Sequence, residues 1–141
     1  MKKITFILII SAVILLFSGC ASYYDNLVFE NIVFGFEDGM ENEDAEKIVK
    51  LFEDEVTVSV NGNSEVYGQD LLKNFFESLF LSAKLDSIAL EKLSADENNG
   101  SFSFMMSYIK VIDDTEGQIQ FNLYAKKGFF WFVDRMNILH N

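Results

Sequence analysis

Cys20 is the only cysteine in this 141-residue chain, and its thiol is the group whose surroundings prescribe a reaction most plainly. It has no disulfide partner within the chain, so in an exported protein it stands as a reactive thiol unless it is modified. The other chemistry-bearing residues do not assemble into a familiar set. His140 is the only histidine and stands next to the C-terminus, as a surface residue would, so no Ser-His-Asp or Cys-His arrangement can be built around it. No cluster of metal ligands has the spacing of a metal site and no glycine-rich phosphate loop occurs, so neither a metal nor a cofactor is expected. The acids between Glu37 and Glu43 flank Gly39 but lack the alternating oxygen spacing of a calcium loop, and they read as a solvated connector. Met106, Tyr108, Tyr124 and Trp131 are the side chains best suited to lining a ligand pocket, with apolar bodies and, in the tyrosines and tryptophan, one polar handle each. Asp86 is a further acid–base candidate. Asp134 and Arg135, as strand neighbours, are expected to point to opposite faces and to serve as an exposed structural pair.

The residues before Cys20 set its context. Lys2 and Lys3 make a cationic start, and Ile4 to Phe17 is an apolar run broken only by Thr5 and Ser11. As a helix that run reaches about 21 Å, short of the ~30 Å hydrocarbon core, which suits the apolar region of a signal peptide better than a membrane span. Phe17-Ser18-Gly19-Cys20 resembles the lipobox of bacterial lipoproteins, with phenylalanine where leucine is usual. The resemblance implies diacylglycerol on the Cys20 sulfur, cleavage after Gly19, and often a third acyl chain on the new amine. Two or more chains anchor stably where one does not. The expected organisation is a signal peptide over residues 1–19, the lipidated cysteine with a short tether over 20–23, and one domain over 24–141. With only Ala21 and Ser22 as a linker, that domain should sit close to the membrane of the cell envelope, held by the lipid on Cys20.

Composition narrows the partners. The chain has 11 basic and 22 acidic residues and a net charge of −11; losing Lys2 and Lys3 with the leader takes it to −13. Nucleic acid is excluded, because its binding needs cationic surface. Adsorption to anionic lipid through charge is excluded for the same reason, which leaves tethering to the acyl chains. The mature part retains all of the 15 phenylalanines except Phe6 and Phe17, implying a large aromatic core or cavity.

The elements that must position these residues follow from periodicity. Tyr23 to about Phe36 reads as a first helix with a wide apolar face, packed in the core or, as the short tether would permit, partly resting in lipid headgroups. Asn42 can cap a second, whose stripe is Ala45, Ile48, Val49 and Phe52. Val56 to Val60 alternates as a strand and ends at Asn61-Gly62. Gly68-Gln69-Asp70 opens a third helix, with Leu71, Leu72, Phe75, Phe76, Leu79 and Phe80 on one face. From Leu85 the pattern is β: strands around 85–95, 102–108, 119–125 and 129–139, turning at Asn99-Gly100, Asp113–Gly117 and Lys127-Gly128. The predicted fold is α+β, three helices packed on a curved antiparallel sheet.

Two stretches add a family resemblance. Val49 to Val58 followed by Tyr67 to Phe76, and the ending Lys127-Gly128-Phe129-Phe130-Trp131-Phe132-Val133-Asp134-Arg135-Met136-Asn137-Ile138, are similar to motifs of the nuclear transport factor 2-like superfamily, over roughly residues 24–139. The resemblance implies a cone whose sheet wraps the long helix around an apolar pocket, as in ketosteroid isomerases and polyketide cyclases. It places the general base of those enzymes at about Val60 and their first-helix tyrosine near Phe36, and neither residue can do that chemistry. The expectation is therefore a non-catalytic binding domain for a hydrophobic small molecule or an envelope protein. The alternatives are a cyclase- or isomerase-like enzyme using Asp86, Tyr108 or Tyr124, and a purely structural surface lipoprotein.

Overall fold

The structure, a computed structural model, describes residues 29–140. The expected signal peptide, the expected lipidation site Cys20 and the expected tether lie outside the described residues. Helix α1 covers residues 29–41 and buries Phe29, Ile32, Val33, Phe36 and Met40 at helical spacing against the sheet. It runs through most of the expected acidic connector, ending at residue 41. Gly39 lies inside it because α2, Ala45–Val49, packs there: a Cβ at Gly39 would sit 2.5 Å from Ile48 Cγ1. The helix then closes over Asn42, whose Nδ2 donates to the Asp38 carbonyl (2.8 Å), and over Glu43 at φ 54°. The cap of α2 is Asp44, not Asn42: its carboxylate accepts from the Lys47 N–H at 2.9 Å.

Phe52, expected on α2, opens strand β1 (Phe52–Val60) and is buried there. The Asn61-Gly62 turn, with φ 48° and 89°, leads into β2 (Asn63–Gly68), a strand the hydrophobic pattern does not announce. It is an edge strand, and all its residues but Tyr67 are exposed. Helix α3 (Gln69–Ser82) buries Leu72 and Phe76, with Phe75, Leu79 and Phe80 half-buried, while Leu71 is exposed. The Gln69 side chain ties its start to β1, donating to the carbonyls of Phe52 (3.2 Å) and Glu53 (2.9 Å).

Strands β3 (Ala83–Ala95), β4 (Asn99–Lys110), β5 (Glu116–Lys127) and β6 (Trp131–His140) form the long meander. The sheet order is β2-β1-β6-β5-β4-β3, antiparallel throughout except where β1 runs parallel to β6. Register shifts at Asp86 and Glu91 each insert one residue into β3 and bend it, which curves the sheet toward the helices. The turns are held by aspartates. Asp96 accepts from the Asn98 and Asn99 N–H groups, which hold its carboxyl below the usual 3.8, and Thr115 does the same for Asp113. The result is the expected α+β layer, three helices laid on one face of a sheet that does not close.

Candidate functional site

The concave face of the sheet is where a fold of this shape would hold a ligand, and here it is packed with side chains. Phe36 is fully buried at its centre. Its ring meets Phe104 (5.6 Å, stacked), Phe121 (5.7 Å), Phe76 (6.1 Å) and Phe102 (6.2 Å). Each such aromatic pair adds roughly 0.5–1.5 kcal/mol to the area it buries. Val60, the other position of interest, ends β1 half-buried beside the Asn63 turn partner. Among the described residues Ser103 is the only fully buried polar or charged residue, no carboxylate is fully buried, and Tyr67 and Tyr108 pack half-buried against the core.

The four pocket candidates do not meet in one cavity. Met106 is buried in the core cluster. Trp131 is buried at the far end of the sheet against Phe29 (5.0 Å), its Nε1 without an acceptor among the described residues. Tyr124 lies between buried Leu123 and Ala125, on the outer face, with the Arg135 guanidinium 4.2 Å from its ring centre. Asp134 and Arg135 also depart from strict alternation. A register shift at Tyr124 and Ala125 leaves both between buried Val133 and Met136, off the inner face, and Asp134 pairs with Lys126 at 2.7 Å. Among the described residues, Tyr108 borders two clefts. Its ring lies over its cross-strand partner Gly117, where a Cβ would come within 2.4 Å of the phenol oxygen. It separates a cleft of about 210 Å³, lined by Leu79, Ala83, Ile112, Ile119 and His140, from one of about 340 Å³ that includes exposed Asp86. His140 ends β6, its backbone N–H donating to Asn61 Oδ1 at 3.2 Å. Among the described residues no group of three or more His, Cys, Asp or Glu converges to hold a metal ion.

The outer face of the sheet has a character that single residues in the sequence do not convey. Register sets its side chains in rows across the strands. One row is Ser94, Ser101, Tyr124, Arg135, Thr57 and Val66; the next is Lys92, Ser103, Asn122, Asn137, Ser59 and Ser64. The third is Ala89, Met105, Gln120 and Leu139, and the fourth Ser87, Ser107 and Gln118. None of these positions is acidic, in a chain with 22 acids. Glu91, in the second bulge of β3, reaches in from the rim to accept from Gln120 at 3.3 Å.

No family model and no curated protein matches the sequence. Solved structures do share the architecture. A ketosteroid isomerase-like protein from Erwinia carotovora atroseptica superposes with TM-score 0.66 at 14% identity, over 81% of this chain and 94% of that chain. A DUF4783 family protein from Bacteroides ovatus gives TM-score 0.64 at 12% identity, over 76% and 93%. A protein with NTF2 in its name and a long sheet gives 0.66 at 15%, over 77% and 97%. At these identities the likeness carries the fold, a nuclear transport factor 2-like α+β cone, and no activity.

Proposed function

We propose that this chain is a lipid-anchored cell-envelope protein whose body binds a protein partner, without catalysis, through the outer face of its sheet. The observation that carries the reading is the acid-free set of rows on that face. A chain with two acids for every base leaves a broad surface of amides and hydroxyls, with Met105, Tyr124 and Arg135 among them. Depletion of acids with Tyr, Met and Arg present matches an interface core, while the many serines of the rows are what such a core lacks and suit a polar rim. The Phe-filled interior weighs against the cone as a small-molecule site. A second reading, a small ligand beside Tyr108, has an apolar cleft of about 210 Å³, below the ~300–1,000 Å³ of most ligand sites, and an open, more polar one of about 340 Å³ that includes Asp86 and Glu116. The anchor rests on Phe17-Ser18-Gly19-Cys20; among the described residues no helix is long and apolar enough to cross a membrane.

A photo-crosslinking residue at Met105, in cells, tests the partner half. The expected result is one discrete protein adduct that the double variant Gln120→Glu, Asn122→Asp abolishes while its melting temperature is unchanged. No adduct, or the same adduct in the variant, sinks the reading.

A further inference from the structure

We propose that the β5–β6 tip inserts into the lipid bilayer through Phe129 and Phe130, giving the domain a second membrane contact beside its acyl anchor. The inference rests on the lipid-anchor reading and adds an orientation to it. The two rings are 94% and 57% exposed, and they pack on each other, edge to face at 4.9 Å. The turn that presents them is closed by Gly128 N–H donating to the Phe130 carbonyl at 2.9 Å, so both rings are held at the extremity of the hairpin.

Their position names the occupant. The next residue, Trp131, packs on Phe29, the first described residue of α1, and Phe29 also lies against Gly100, where a Cβ would come within 2.1 Å of its ring. The Lys127 N–H donates to the Asn98 carbonyl at 2.9 Å, tying the β3–β4 turn alongside. The tip and the start of α1 therefore share one end of the sheet. Phe29 is nine positions after Cys20, a span of at most about 30 Å, so acyl chains on Cys20 bring this end of the body to the bilayer. Another exposed apolar group, Leu81, Val111 and Ile112, lies at the opposite end of β4, roughly 33 Å away along the strand. Charge around the tip is mixed: Lys126 is paired with Asp134, Lys127 is adjacent, and Asp96 and Glu97 stand in the neighbouring turn. Insertion is thus apolar and does not depend on anionic lipid.

Trp131 is the only tryptophan, and it adjoins the tip. The full chain, processed in and purified from bacterial membranes, is reconstituted in phosphatidylcholine vesicles with brominated acyl chains. The expected result is quenched Trp131 emission. The quenching is lost in Phe129→Asp, Phe130→Asp, retained in Phe129→Leu, Phe130→Leu, and unaffected by Ile112→Asp, with all variants still vesicle-bound. Vesicle-bound, acyl-labelled protein whose Trp131 is unquenched overturns the tip contact alone, as it would if the tip met a protein instead. Equal quenching in the aspartate pair also overturns it. Quenching without acyl label on Cys20 upholds the tip and overturns the anchor, so the two readings fail separately.

Discussion

Phe36 decides more than any other described side chain. The isomerase resemblance puts a tyrosine near this position, and a hydroxyl there would face a pocket. Instead a phenyl ring meets four others, and the space a substrate would use is occupied by Phe76, Phe102, Phe104 and Phe121. Truncation should be costly because the surrounding rings cannot all collapse into the gap. Phe36→Ala is expected to destabilise the fold by about 3–5 kcal/mol in denaturant unfolding and to open a binding cavity for small apolar molecules. A loss under about 1 kcal/mol would mean the ring is not packed as described. At this scale the sequence could show that a large aromatic core or cavity was to be expected. It could not show whether the rings line a void or fill one, because that depends on how α1 seats against β4 and β5.

The elements show what local pattern can and cannot carry. The α3 stripe and the meander strands were legible, since Phe76 and the alternation of Phe102, Phe104 and Met106 give strong periodic signals. Strand β2 was not, because Asn63, Ser64, Glu65 and Val66 are exposed and leave no period-two burial to read. Nor was the parallel pairing of β1 with β6, which joins residues about as far apart as the domain allows. The extension of α1 through Gly39 was hidden because glycine and acids usually mark a turn, and the contact with Ile48 that keeps Gly39 small comes from another helix. Two effects oppose each other at that position. Gly39→Ala gains about 1 kcal/mol of helix propensity, yet its methyl would enter Ile48, and overpacking typically costs about 1–3 kcal/mol. The clash should win, lowering the melting temperature, and Ile48→Ala in the same chain should recover part of the loss. Stabilisation by Gly39→Ala alone would show that α2 yields freely.

For the molecule as a whole, charge and topology divide the surface by task. The four outer-face rows hold no acid of their own although Glu91, Glu116 and Asp134 border them, the described interior is packed with Phe rings, and the exposed aromatic tip shares an end with Phe29, nine positions after Cys20. The candidate pocket residues could be named from the sequence, but not the fact that Met106, Trp131, Tyr124 and Tyr108 go to four different surroundings. That separation comes from strand alternation and from one register shift at Tyr124. Membrane placement, in contrast, hangs on a single thiol. The direct measurement is metabolic labelling with a radioactive or clickable fatty acid, followed by membrane fractionation, of the native chain beside Cys20→Ala. Label and membrane sedimentation in the native chain, with both lost in the variant, is the predicted result. An unlabelled native chain, or label that survives Cys20→Ala, would contradict it.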